Sequence, residues 1–288
     1  MVLSKATDFE ELAQFLSTEN KEITSHIGYC GEKVEEIYQT LKEDFIDENG
    51  EPDFLIARND SGEIVAAIGI DADETSGEVW GPFNQTTSYE LQHELFEKLL
   101  TSHPHIQTFQ FFNNKENTMQ CTYMDKISAS KTGEHLILIV QSENFEGVQK
   151  FKSTSFQQSD FLAFQQLHKE LFPNTYYDAA IIVGRISEHH VLKILKNEFD
   201  EVLGYAYYEV DPAMGEASLE YIGISSNAQN KGLGTLLLRE VLTEMFSYSQ
   251  ISEIQLCVDN TNSQANHVYF KVGFETKYVL VSYEMNRS

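Results

Sequence analysis

Several residue types are scarce in this chain, and each shortage excludes a class of protein. The 288 residues include only three cysteines, five prolines and one tryptophan. Cys30, Cys121 and Cys257 are far apart and odd in number, so the sequence indicates neither a disulfide framework nor a paired-cysteine metal site. Apolar neighbours predict that Cys121 and Cys257 are buried as small hydrophobic residues. No apolar run approaches the roughly 20 residues that a membrane-spanning helix needs.

Basic residues are also scarce. Lysine and arginine total 20 against 45 aspartates and glutamates, which gives a formal net charge of −25. A field of that sign repels phosphate backbones, so we expect no nucleic-acid partner. It attracts cationic substrates such as amines, although a surface that only favours solubility is the more ordinary explanation. The N-terminal segment carries acids where a signal peptide needs basic and apolar residues, so we expect a cytoplasmic protein with no membrane partner.

The clearer periodic patterns lie in residues 149–288. Apolar periodicity and turn residues predict helices over 159–171, 232–247 and 263–272, and strands over 190–199, 201–210, 216–225, 253–258 and twice within 274–285. Residues 179–186 fit either a strand or a short helix. Pro173 ends the first of these helices, and Gly273 is a plausible C-cap of the last.

The same order of elements recurs in the first half. The predicted strands are 53–58, 63–71, 77–83, 107–112 and 134–141, and the predicted helices are 88–102 and 116–127. Tyr123 and Tyr269 fall at comparable places in the two halves. The sequence therefore predicts a duplicated α/β unit with a polar linker at 142–148. Two unrelated domains stay open as the alternative, because the repeat rests on element order and not on identity.

The most informative segment is Gln229-Asn230-Lys231-Gly232-Leu233-Gly234, between a predicted strand and a predicted helix. Glycines let the backbone approach a phosphate closely and adopt dihedral angles closed to other residues. Free N–H groups in the first helical turn then point at the anion, and the helix dipole favours it. Lys231 either contacts a phosphate or is an ordinary solvated lysine.

Two motifs resemble those of the GNAT superfamily of N-acetyltransferases. The segment from Ile222 to Gly234 resembles motif A, which reads Gln/Arg-x-x-Gly-x-Gly/Ala after a strand. The segment from Asn262 to Phe274 resembles motif B, which reads Asn-x-x-Ala-x-x-x-Tyr-x-x-x-Gly-Phe. The resemblance covers most of residues 149–288. The order of the two motifs and their flanking elements make it specific.

The resemblance implies acetyl-CoA as co-substrate and assigns residues to it. Pantothenate amides would pair with the backbone of the motif A strand, and the following loop would hold the diphosphate. Tyr269 would protonate the departing thiolate, unless it is only a packing residue. The residues implied to bind the cofactor are Ile222, Gly223, Ile224, Gln229, Asn230, Lys231, Gly232, Leu233, Gly234, Thr235 and Asn262.

The resemblance also implies a glutamate on strand 216–225 that deprotonates the acceptor amine. Strand alternation predicts that Glu216, Ser218, Glu220, Ile222 and Ile224 share one face. Glu220 is the first candidate for the base and Glu216 the second. A surface glutamate, or one that only binds the positive charge of the amine, is the alternative.

Acceptor specificity is expected from the first helix and loop of the second half. His168, Phe172, Tyr176 and Tyr177 lie there and could line a substrate slot, but each could equally be an ordinary core or surface residue. His189 and His190 do not indicate a metal site, because adjacent strand residues point to opposite faces. We therefore expect no metal.

The first half departs from motif A. After strand 77–83 the chain has Pro82 and bulky residues where the second half has glycines, so a diphosphate loop is not expected there. Lys126-Ile127-Ser128 replaces the Gly-Phe ending of motif B. The first half is therefore interpreted as a degenerate copy that walls the acceptor cleft or supports dimerisation. Trp80 fits a core anchor, or else part of an interface.

These patterns together predict an α/β (α+β) protein of two GNAT-like domains, 1–142 and 149–288, each with a mixed, mostly antiparallel sheet flanked by helices. The function expected from the resemblance is direct transfer of an acetyl group from acetyl-CoA to a primary amine of a small molecule or a protein. A non-catalytic acyl-CoA sensor and a transferase that uses another acyl or aminoacyl donor are the alternatives. A homodimer stays open.

Overall fold

The computed structural model describes residues 1–47, 50, 52–173 and 175–287. The chain divides into two compact units. The first comprises Met1–His135 and Tyr278–Ser288, and the second Leu136–Lys277. In the part of the chain that is described, no helix is both long and apolar enough to cross a membrane.

The first unit contains four helices and most of seven strands. The helices are α1 (Phe9–Lys21), α2 (Val34–Asp44), α3 (Tyr89–Ser102) and α4 (Thr118–Lys126). The strands are β1 (Val2–Lys5), β2 (Phe54–Arg58), β3 (Ile64–Asp73), β4 (Ser76–Asn84), β5 (Thr108–Asn114), the beginning of β6 (Ser130–Gln141) and the end of β12 (Glu275–Asn286).

The strands of the first unit follow the order β1-β2-β3-β4-β5-β12-β6. The pairs β1–β2, β2–β3, β3–β4 and β5–β12 are antiparallel, whereas β4 and β5 are parallel. One buried cluster joins α1 and α2 to the sheet and contains Trp80, whose ring centroid is 4.8 Å from that of Phe45. A second cluster joins α3 and α4 to the sheet through Phe96, Phe109 and Tyr123. Trp80 is therefore a core residue.

The second unit contains four helices and the remaining strands. The helices are α5 (Phe161–Leu171), α6 (Ala179–Arg185), α7 (Leu233–Met245) and α8 (Ser263–Val272). The strands are β7 (Ser153–Ser155), β8 (His190–Lys196), β9 (Val202–Asp211), β10 (Glu216–Ile224) and β11 (Glu253–Asp259), next to which lies the second part of β6.

Helices cover both faces of the sheet in the second unit. Apolar and aromatic side chains of α5 and α6 pack on β8, β9 and β10 in one cluster. The apolar stripe of α7, including Leu237, Val241 and Met245, is fully buried, and this helix contacts β9, β10 and α8. The strands from β7 to β10 pair in an antiparallel manner, whereas β10 and β11 are parallel.

The structure differs from the sequence-based expectations in several details. It has β1, α1 and α2 before residue 53 and β7 at Ser153–Ser155, where no element was expected. Residues 275–286 form one continuous strand where two were expected, and its residues Leu280–Asn286 pair with β5 of the first unit. The two compact units therefore have other bounds than 1–142 and 149–288. Cys257 is exposed because strand alternation turns it away from the core, and Cys121 is only partly buried.

Candidate active site

Strand β10 contains a β-bulge at the position of Glu220. Ser218 pairs with Glu209 and Leu219 with Tyr208, but Tyr221 pairs with Tyr207, so one residue of β10 is left without an opposite partner. A bulge inserts one extra residue and reverses the alternation beyond it. Ile222 therefore faces the same side as Leu219.

The bulge makes one prediction wrong. Glu216 and Ser218 do not share a face with Ile222 and Ile224, as strict alternation predicts. They share it with Tyr221 and Gly223. Glu220 itself is the bulged residue between the two stretches.

Strands β10 and β11 separate soon after they pair. Among the described residues they pair at Ser218 and Gln255, and Ile222–Ile224 have no partner on the β11 side. On the other side the same segment pairs regularly with Gly204–Ala206 of β9. Every second residue of this segment points its backbone N–H and C=O groups towards β11, and those groups are left for another hydrogen-bonding partner.

The loop that follows β10 exposes a run of backbone amides. Within the described chain, no hydrogen bond is donated by the N–H groups of Gln229–Thr235, and the first amide engaged by the helix is Leu236, which donates to Gly232 at 3.0 Å. Gly232 is the N-cap of α7, with φ 75° and no side-chain cap. Unpaired amides at a helix N-terminus favour an anion through both hydrogen bonds and the helix dipole.

Glycines keep the front of this loop open. A Cβ atom on Gly232 would meet no atom within 4 Å, so nothing fills the space before the amides. A Cβ atom on Gly234 would lie 3.6 Å from Cγ1 of Ile224 and 3.9 Å from Cγ2 of Val268. The start of α7, the end of β10 and the α8 residue before Tyr269 therefore meet at one point.

Hydrogen bonds of its own side chains stabilise this loop. The Gln229 amide donates to the carbonyl of Ile224 at 3.1 Å and accepts from Gln264 of α8 at 3.2 Å. The Lys231 ammonium donates to the carbonyl of Asn227 at 2.9 Å. Lys231 thus supports the loop in this structure, and its charge lies beside the open amides.

Helix α8 carries Asn262 and Tyr269. The Asn262 side chain caps the helix by accepting from the amide of Ala265 at 3.1 Å. Tyr269 is partly exposed, its ring centroid is 5.5 Å from that of Phe274, and its hydroxyl bonds to no described residue. Burial raises the pKa of the Tyr269 phenol to about 12, so this hydroxyl keeps its proton at neutral pH.

The Glu220 carboxylate accepts two hydrogen bonds from neighbouring hydroxyls. Ser218 donates to one oxygen and Tyr176 to the other. Burial and the adjacent carboxylate raise the pKa of the Tyr176 phenol, which therefore stays a donor. No hydrogen bond joins Glu220 to Tyr269 in the described chain; they lie on separate elements, β10 and α8.

His168 is a structural residue of the core. It is 3% exposed, its Nε2 lies 2.8 Å from the carbonyl of Tyr177, and its Nδ1 lies 2.5 Å from the hydroxyl of Tyr205. A carbonyl can only accept, so Nε2 carries the proton and Tyr205 donates to Nδ1. Burial lowers the pKa of His168, which agrees with a neutral ring. Phe172 packs on this ring and on Tyr221.

In the corresponding loop of the first unit, backbone amides already donate hydrogen bonds within that unit. Gln85 N–H donates to Val65, Thr86 N–H to the Asn84 side chain and Ser88 N–H to the Thr86 hydroxyl. The Ser88 side chain then caps α3. Tyr123, 1% exposed, lies buried beside His93.

A metal centre finds no support in the described residues, where no group of three histidine, cysteine or acidic side chains could hold an ion. His190 instead lies 3.6 Å from Glu209, a carboxylate that Arg185 binds at 2.8 Å.

Comparison with known proteins gives one family match and several similar structures. Residues 155–274 match the model of the acetyltransferase (GNAT) family. A GCN5-related N-acetyltransferase from Sphaerobacter thermophilus has a TM-score of 0.75 and 14% identity, over 99% of this chain and 95% of that chain. A tandem GNAT protein from the clavulanic acid biosynthesis pathway has a TM-score of 0.61 and 12% identity, over 99% and 97%. A GNAT-family acetyltransferase from Colwellia psychrerythraea has a TM-score of 0.56 and 10% identity, over 99% and 100%. At such identities these likenesses show the fold alone, and they confirm the predicted fold class.

Proposed function

We propose that this chain transfers an acetyl group from acetyl-CoA directly to a primary amine, since its residues 155–274 match the model of the GNAT acetyltransferase family. The observation that carries the proposal is the run of unpaired amides from Gln229 to Thr235 in front of α7. These donors suit a diphosphate, and the glycines leave room for it. The backbone groups of Ile222–Ile224 that point towards β11 suit the amides of the pantetheine arm.

Two side chains supply the proton transfers in this proposal. Glu220 takes a proton from the acceptor ammonium, and the neutral nitrogen then attacks the thioester carbonyl. A C–N bond forms and the C–S bond breaks. Tyr269 gives its proton to the sulfur, because a tyrosine hydroxyl is still protonated at neutral pH. The nitrogen then loses its second proton to the tyrosinate, which restores the hydroxyl, and Glu220 releases its proton to solvent. Glu216, the second candidate for the base, lies at the start of β10, before the bulge at Glu220.

Each role has its support in the geometry. The bulge turns Glu220 out of the regular ladder, and Ser218 and Tyr176 hold its carboxylate in place. The Tyr269 hydroxyl bonds to no described group and sits on the helix that contacts Gly234 through Val268. Asn262 caps this helix and thereby fixes its start.

We propose further that the first unit does not bind acetyl-CoA in this way. The support is the contrast between the two loops: the amides of Gln85, Thr86 and Ser88 already donate within the first unit. An anion there would have to displace three existing hydrogen bonds. It would gain little in exchange.

The experiment is an assay of CoA release with acetyl-CoA and a panel of primary amines, together with calorimetry of acetyl-CoA binding to the full chain. We expect both binding and turnover. Tight binding with no turnover on any amine would identify a non-catalytic acyl-CoA sensor. Absence of binding would refute the assignment of the α7 loop, and turnover with another acyl thioester alone would change the donor.

A further inference from the structure

The segment next to Glu220 is held by its neighbours on both sides of Tyr176. The Thr175 hydroxyl is hydrogen bonded to the Tyr221 hydroxyl, and the carbonyl of Tyr177 accepts from Nε2 of His168 at 2.8 Å. Tyr221 and His168 are themselves buried. Because these contacts fix the flanking backbone, the Tyr176 side chain is the part of the segment that can turn.

Tyr176 occupies the place of a proton donor to Glu220. Its hydroxyl donates to one carboxylate oxygen, and the other oxygen accepts from Ser218. A base must lie within hydrogen-bond reach of the proton that it accepts. Each carboxylate oxygen has a second lone pair and can accept one more hydrogen bond, but an acceptor nitrogen that takes the place of the Tyr176 hydroxyl also gains the face of the Tyr176 ring. Both hydroxyl donors belong to exposed residues, and Tyr176, with 66% of its surface exposed, is the one that brings an aromatic ring to the carboxylate.

A neighbouring group of residues already holds a cation against both a tyrosine ring and a carboxylate. The Arg185 guanidinium lies over the Tyr177 ring, 4.6 Å from its centroid, and binds the Glu209 carboxylate at 2.8 and 2.9 Å. Tyr176 and Glu220 offer the same combination of phenol ring and carboxylate, and in the described chain no cation is paired with that carboxylate. Cations bind well over aromatic faces, and better when a carboxylate is beside them.

We propose that the acceptor ammonium displaces the Tyr176 hydroxyl from Glu220 and lies against the Tyr176 ring, which makes Tyr176 a specificity-determining residue. This inference rests on the proposed function and narrows its substrate class. The acceptor is a primary ammonium on an aromatic or aliphatic body with no carboxylate next to the nitrogen. An adjacent carboxylate would face Glu220, and the Arg185 charge is already engaged by Glu209.

The test is calorimetry of 2-phenylethylamine binding to the full chain, with and without saturating CoA. Phenylalanine has the same body with an added carboxylate, and 2-phenylethanol has it without the charge. We expect both to bind at least about tenfold more weakly than the amine. Glu220→Gln should abolish the preference for the amine over the alcohol.

Two substitutions of Tyr176 separate its hydroxyl from its ring. Tyr176→Phe removes the competing donor and keeps the aromatic face, so amine affinity should rise by about fivefold, as the loss of one hydrogen bond implies. Tyr176→Ala removes both, so affinity should fall by about fivefold. Tyr248→Phe, which also loses an exposed phenol hydrogen bond but to Glu188, is the matched control and should change nothing.

The outcomes are distinct. If Tyr176→Phe leaves amine affinity unchanged or lowers it, or if the alcohol or phenylalanine binds as well as the amine, the inference is wrong. Absence of amine binding in both arms is equally decisive against it. Failure of CoA to bind would refute the proposed function instead, and the arm without CoA would still test the role of Tyr176.

Discussion

Substitution of Gly232 by a charged or a neutral side chain tests the proposed diphosphate site directly. The φ of 75° at Gly232 lies in the left-handed region, and a side chain there would meet no atom within 4 Å. Asparagine and aspartate both tolerate this conformation, and both are good N-cap residues. Gly232→Asn and Gly232→Asp should therefore fold alike, and they differ by one negative charge in front of the amides of α7.

The magnitude follows from Coulomb's law. A bound diphosphate carries about two negative charges, and a carboxylate at position 232 would lie about 6 Å from each. With an effective dielectric constant of about 40, each repulsion is about 1.4 kcal/mol, so the pair costs about 3 kcal/mol. This corresponds to binding that is weaker by about two powers of ten. The asparagine variant should lose affinity only because its side chain accepts hydrogen bonds from amides that would otherwise bind the diphosphate.

The assay is calorimetry of acetyl-CoA with both variants at low and high salt, after thermal unfolding has shown equal melting temperatures. The gap between the variants should narrow as salt rises, because the Debye length falls to about 3 Å at 1 M. Equal affinity of the aspartate and asparagine variants would refute the placement of the diphosphate at this turn.

Three further predictions follow from other parts of the molecule. Tyr269→Phe should lower kcat about a hundredfold and leave the Kd of acetyl-CoA within about twofold; equal losses in both would mark Tyr269 as a packing residue. Titration of acetyl-CoA should saturate at one molecule per chain, and a second heat signal that survives in Gly232→Asp would place a site in the first unit. His103→Gln should lower stability by about 1 kcal/mol near pH 5–6, and by less above pH 8. His103 is 3.0 Å from Asp53, whose hydrogen bond raises the pKa of His103 against the effect of burial and whose own pKa is lowered in turn. The histidine contribution is complete below its unfolded pKa of about 6.5 and is lost as pH rises through the raised value, while that of Asp53 is lost as pH falls. Thermal unfolding across pH measures this, and a gap that grew above pH 8 would contradict it.

Periodic segments were predicted with small errors at their ends. The amphipathic helix expected at 232–247 is α7, Leu233–Met245, and the strand expected at 216–225 is β10, Glu216–Ile224. These elements have strong local signals, since an apolar stripe or alternation fixes the period. The ambiguous segment 179–186 is helix α6, which has Asp178 as its cap. The Asp178 N-cap favours a helix at this segment, whereas the pattern of hydrophobic residues fits a strand or a helix.

The bulge at Glu220 could not be read from the sequence. Nothing local distinguishes a bulged strand from a regular one, because the extra residue is set by how β10 pairs with Tyr207 and Tyr208 of β9. The same holds for the aromatic residues near Glu220. His168 and Tyr176 were left open between core and slot, and the structure shows one buried in the core and the other exposed on the carboxylate.

The sequence by itself determined most of the helices and strands after residue 53, the glycine loop after β10 and the family resemblance, because each is carried by neighbouring residues. The tertiary structure alone decided that the amides of Gln229–Thr235 stay unpaired while those of Gln85, Thr86 and Ser88 do not. It also decided that Tyr176 reaches Glu220, 44 positions away. Such contacts depend on packing between distant segments, and no local pattern encodes which backbone donors will find a partner.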